Sequence, residues 1–203
     1  MFSVLYCICF TPTLCSTVDV SLDPDTANPY LILSEDGKQV KDGNKRQPLP
    51  DNPKRFDTYI YVLGREGFTS GRHYWEVEVG EKIYWALGVT RESCQRKGDI
   101  TENPQQGFWI VVWDRDEDKH ELEFNAFTEP VSPLPLTLKP RKLGVYLDYE
   151  GGQLSFYNVE TRSLIYTFTD TFTEKLYPFF CPGLYYDGET AAPLIICPHT
   201  YTD

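Results

Sequence analysis

No stretch of the 203 residues reads as a convincing amphipathic helix, with apolar side chains sustained at three-and-four spacing. Short apolar or alternating runs follow one another instead, each closed by Gly, Pro, Asn or Asp. These runs predict strands at 30–33, 60–63, 73–79, 83–90, 107–113, 143–149, 153–157, 163–168, 176–181 and 193–197. The run His73-Tyr74-Trp75-Glu76-Val77-Glu78-Val79 alternates cleanly and sends Trp75, Val77 and Val79 to one face, the expected core face. Residues 143–149 and 153–157 flank Glu150-Gly151-Gly152, a hairpin signal. Many short strands with tight turns require two packed antiparallel sheets. The aromatic balance agrees, with 14 Tyr, 12 Phe and 4 Trp against a single Met. No apolar run reaches the roughly 20 residues of a membrane helix.

Between the strands, residues 42–54 are polar and proline-broken and read as a loop. Residues 129–140 hold Pro130, Pro133, Pro135 and Pro140 and are expected to skirt a sheet edge, where lost ladder donors matter least. Residues 114–129 carry seven acids against Arg115 and Lys119 and read as a solvated acidic loop. Their alternation of Asp114, Asp116 and Asp118 lacks the Gly and Glu that a calcium loop needs at its sixth and twelfth places, so no metal site is expected.

Charge narrows the partners. Residues 1–75 hold nine acidic and eight basic side chains, so nearly all of the net charge of −11 falls on the remainder. Such a surface repels nucleic-acid phosphates and anionic membranes, which leaves a protein or a neutral ligand. The six cysteines form no CxxC pair and no disulfide framework, and no Asn-x-Ser/Thr sequon occurs, which favours a reducing, cytoplasmic setting. Residues 1–17 form an uncharged leader, expected to be poorly ordered; as a signal peptide it would lack a basic start, and Pro12 interrupts its apolar run.

Three motifs stand in order: Leu22-Asp23-Pro24, Trp75-Glu76-Val77-Glu78 and Leu147-Asp148-Tyr149-Glu150. With Ser70-Gly71-Arg72-His73-Tyr74, Leu87-Gly88-Val89, Gly107-Phe108-Trp109 and Leu176-Tyr177-Pro178-Phe179, they make a highly specific pattern. The chain resembles the PRY-SPRY domain found at the C-terminus of many tripartite-motif ubiquitin ligases, butyrophilins and some fish NOD-like receptors. The resemblance runs over about residues 18–198. It implies an all-β fold, one bent antiparallel β-sandwich of two sheets of the SPRY, concanavalin-like jelly-roll type. PRY would occupy 18–75 and SPRY 76–198, fused as one domain, with a tail at 199–203.

The resemblance also implies a recognition module rather than an enzyme. Nucleophile-base pairs are missing from the sequence: His73 lies on a strand face, His120 among acids, and Cys197-Pro198-His199 has no third partner. No catalytic residue, cofactor or metal is expected. No RING, B-box or coiled coil is present, so any ubiquitin transfer, and any oligomerisation, would come from segments outside this sequence. Antibody-binding tripartite-motif members place tryptophans where this chain has Val112 and Asp114, an Asp where it has Ala86 and a Phe where it has Leu184. Phosphate-sensing butyrophilins need basic or histidine side chains where it has Ile60 and Ala86. Neither ligand is therefore expected.

What remains is a patch with Ala86, Val112, Leu184, Tyr185 and Tyr186 at its centre and Asp114, Arg115, Asp116, Glu117 and Asp187 around it. An apolar centre within a charged rim is the layout of a protein interface. The acidic rim calls for a protein target with a basic patch. Tyr185 and Tyr186 either anchor that target or pack the loop that carries them. The alternative functions are a small-molecule or glycan sensor using the same loop cleft, and a secreted stand-alone SPRY protein.

Overall fold

The structure is a computed structural model and describes residues 16–115, 121–135, 139–184 and 192–198. Two sheets hold all of the described strands. The larger runs β12 (Ser163–Thr169), β11 (Gln153–Asn158), β10 (Lys142–Asp148), β5 (Arg72–Glu78), β14 (Leu194–Ile196), β3 (Gln39–Asp42) and β2 (Leu31–Leu33), with β1 (Ser16–Thr17) added to β5. The smaller runs β4 (Val62–Leu63), β13 (Leu176–Cys181), β6 (Trp85–Arg91), β7 (Phe108–Arg115), β8 (Leu122–Ala126) and β9 (Ser132–Pro133). All pairings are antiparallel except β1 with β5. The one described helix is a 3-10 turn at Pro104–Gln106, and no described helix is long and apolar enough to cross a membrane.

The core between the sheets follows the period-two pattern. Trp75, Val77 and Val79 are buried from the larger sheet, facing Trp85, Leu87, Trp109, Val111 and Trp113 from the smaller. The Glu150-Gly151-Gly152 hairpin joins β10 to β11 with Asp148 opposite Gln153. Gly152 has φ +64, and a Cβ there would lie 2.1 Å from the Asp170 carbonyl oxygen, so no other residue fits this turn.

Two sequence motifs form one contact set at this end of the sheet. Arg72 Nε donates to Asp148 at 2.8 Å, and the Gly71 N–H donates to both Glu150 oxygens at 2.8 and 3.0 Å. Asp148 also receives the Gly151 N–H at 2.8 Å, and Tyr149 Oη donates to the Glu174 carbonyl at 2.9 Å. The carboxylates thus close the ends of β5 and β10 through charge-assisted bonds.

A second apolar cluster lies on the outer face of the smaller sheet. Leu63, Ala86, Phe108, Ile110, Val112, Phe179 and Cys181 are buried there together with Phe56, Tyr61, Cys94 and Ile100 from flanking loops. Both faces of β6, β7 and β13 are therefore covered, which explains the unbroken apolar runs Phe108-Trp109-Ile110-Val111-Val112-Trp113 and Phe179-Phe180-Cys181.

Four strands differ from the sequence expectation. Residues 114–129 are not wholly a solvated loop: Asp114 and Arg115 complete β7, and Leu122–Ala126 forms β8 paired with it. Phe124 and Ala126 bury themselves in the core while Glu123 and Asn125 point outward, an alternation masked by the acid count. Within that stretch, residues 116–120 lie outside the described residues. β3 is polar apart from buried Val40, and β1 and β9 are two residues each, too short to leave a period. β9 is the outermost strand of its sheet and contains Pro133.

Candidate recognition surface

The end of the smaller sheet that carries the β7–β8 connection also receives the chain leaving β13. Asp114 sits there, half-buried on the outer face, opposite Glu123 of β8. Glu123 accepts a bond from Asn125 Nδ2 at 3.4 Å. Leu184 follows β13 and is 47% exposed. Gly183 (φ +79) precedes it, where a Cβ would stand 2.4 Å from the Tyr84 carbonyl oxygen. The close approach sets the Gly183 backbone, just before Leu184, against half-buried Tyr84.

Two residues expected at the apolar centre do not reach solvent. Ala86 and Val112 are 3% and 2% exposed. They pair with each other across β6 and β7, Ala86 also pairs with Cys181, and both belong to the outer cluster under Tyr59 and Tyr84. They face the expected side of the sheet, but the loops cover that side. Arg115 closes the described part of β7, while Asp116, Glu117, Tyr185, Tyr186 and Asp187 lie outside the described residues. Trp113 is in the core, stacked on Trp85 with ring centroids 6.4 Å apart.

Several residues at this surface were missed in the sequence. Tyr59 stacks on Tyr61 at 5.3 Å, and Tyr61 meets Phe179 edge-on at 4.8 Å. Burial pushes the Tyr61 phenol well above its ordinary value, and its hydroxyl donates to the Glu102 carboxylate. The Tyr59-Ile60-Tyr61 repeat is the available signal, of which the strand expected at 60–63 takes in only Ile60 and Tyr61. Ile60 packs, half-buried, against both clusters and carries no group for an anion.

Lys82 is the one buried ammonium among the described residues, 1% exposed, and its Nζ donates to the Ala192 carbonyl at 2.7 Å. Burial pushes its pKa down to about 8. The folded chain therefore gives up this proton more readily than the unfolded chain. The penalty is fully present below pH 8 and is relieved as pH rises towards the ordinary lysine value. Wild type is expected to gain stability over Lys82→Met between pH 8 and 10, by at most about 1.4 kcal/mol per pH unit. Urea unfolding of both proteins across that range checks it; parallel curves would contradict it. Burial pushes the neighbouring Cys181 thiol up to about 12, so that sulfur stays protonated and inert.

His73 donates from Nε2 to the Ser70 carbonyl at 2.6 Å and stacks on Phe68 at 4.0 Å, a strand-end structural role. Cys94, Cys181 and Cys197 are unpaired with one another. Among the described residues, no three His, Cys, Asp or Glu side chains converge as metal ligands would.

The family model described as "SPRY domain" matches residues 72–194, and that described as "SPRY-associated domain" (PRY) matches residues 20–68. This chain belongs to the PRY-SPRY family. Human erythroid membrane-associated protein is 51% identical over 180 residues, covering 89% of this chain and 37% of that protein. Human butyrophilin subfamily 1 member A1 is 50% identical over 182 residues, covering 89% of this chain and 33% of its own length. The chain thus spans about a third of the length of the curated relatives it matches. The crystal structure of the TRIM65 PSpry domain superposes with TM-score 0.71 at 26% identity, covering 90% of this chain and 92% of that one. PRY-SPRY domains are binding modules.

Proposed function

We propose that this PRY-SPRY chain is a cytoplasmic protein-recognition module, giving target specificity to a tripartite-motif ubiquitin ligase or an innate immune receptor. The observation that carries this reading is exposed Leu184 at the same end of the smaller sheet as the carboxylates of Asp114 and Glu123. An apolar anchor within an acidic rim suits a protein with a basic patch around an apolar contact. Burial of Ala86 and Val112 removes them from direct contact with a partner. Tyr185 and Tyr186 remain part of the proposed centre, and Arg115, Asp116, Glu117 and Asp187 part of the proposed rim.

Leu184→Arg, alone and with Asp114→Lys, is the test, read by affinity capture from cytosolic lysate and by titration of the purified captured protein. The expected result is a target held by wild type, released by raised salt, and lost by both variants with unchanged thermal midpoints. Equal retention by wild type and variants would place the interface elsewhere. Val112→Arg is unsuited to this purpose, since a guanidinium forced into the outer cluster is expected to unfold it.

A further inference from the structure

At the other end of the smaller sheet, where Leu176 of β13 pairs with Arg91 of β6, a cleft of about 400 Å³ opens. That volume lies within the range of small-ligand sites. Arg91, Trp109, Asp170, Thr171, Thr173 and Glu174 are among the residues that line it. Arg91 lies flat across Gly107, where a Cβ would come within 2.4 Å of its side chain. Its Nη2 donates to the Gln105 carbonyl at 3.2 Å, and its Nε stands 3.8 Å from the Glu174 carboxylate. These two charges offset each other.

Asp170 is then left as the net charge of the cleft. It accepts the Trp109 indole N–H at 3.0 Å and the Thr171 amide at 2.7 Å, both neutral donors. The residue is exposed, with the side chains of Thr171 and Thr173 exposed beside it. Phe172 packs edge-on against Trp109 at 5.2 Å and fixes the segment that carries Asp170.

We propose that this cleft takes the cationic head of an arginine or lysine side chain presented by a partner protein, paired with Asp170 and bonded by the threonine hydroxyls. An anion entering here would meet Asp170 and Glu174, and an apolar group would strip both carboxylates of water. The net charge of −11 draws cations towards the whole chain. The site is separate from the Leu184 surface, and its failure would leave that surface untouched.

The Trp109 indole N–H, bonded to Asp170, is a built-in reporter. NMR spectra of the whole chain are followed while acetyl-arginine amide is added, with the other three indoles as internal controls. The expected result is a saturable movement of the Trp109 signal, reduced by salt and roughly fivefold weaker in Asp170→Asn. Thr171→Lys is expected to abolish it, because the new ammonium fills the cleft while the backbone bond to Asp170 stays. A still Trp109 signal, or equal midpoints in wild type and variants, overturns the proposal. So does a stronger response to glucose or inorganic phosphate.

Discussion

Trp75→Ala is expected to lower the unfolding free energy by roughly 3–5 kcal/mol, as for other buried aromatics. Trp75 is buried at the centre of β5, lies 5.9 Å from Phe68, and pairs across strands with Val145. Its neighbours Val77, Val145 and Leu147 are held in two ladders of β5 and β10, so the backbone cannot collapse into the void. Denaturant unfolding checks this, with the slope against denaturant unchanged. Near-wild-type stability would mean that the core does not depend on this face of β5. Glu76→Ala, on the opposite face of the same strand, is expected to move stability only slightly.

Arg55→Ala is the second large effect, at roughly 2–4 kcal/mol. Arg55 is buried, yet the contacts it makes are with carbonyls rather than a carboxylate. Its Nε donates to Pro50 at 3.1 Å, and its Nη1 donates to Pro24 at 2.8 Å and Ala27 at 2.6 Å. Truncation strands three carbonyls and frees the loop that carries Phe56 and Tyr61 over the outer cluster. Amide exchange is therefore expected to speed up around residues 50–61 and along the outer side of β13 more than in β10 or β11. Arg55→Lys is expected to recover only part of the loss, because an ammonium cannot span the same fork of carbonyls. Uniform acceleration across both sheets would argue that Arg55 holds no particular segment.

These effects bear on how much could be read in advance. The alternation around Trp75 and the two glycines after Glu150 were legible because each is decided within a few residues. The face occupied by Val112 was also legible, since Trp109, Val111 and Trp113 had to lie on the other side. What could not be read was that this outer face is covered. The cover comes from Phe56, Tyr61, Cys94 and Ile100, distant in sequence and placed by Arg55 and by the Tyr61–Glu102 bond. The unbroken apolar character of β7 did signal burial on both sides, but it named no partner. β8 is hidden for another reason: its alternation is sound, but the acids around it give residues 114–129 the composition of a solvated loop.

The covered outer face bears on how such chains can be inherited. Residues 20–68 and 72–194 match separate family descriptions, yet Phe56, Tyr61 and Leu63 from the first close over Phe108, Ile110, Val112 and Phe179 from the second. A recombination event that carried the second segment alone would deliver a sheet with its greasy side open, a surface prone to indiscriminate association. In this chain the second stretch therefore depends on the first for the cover of its outer face.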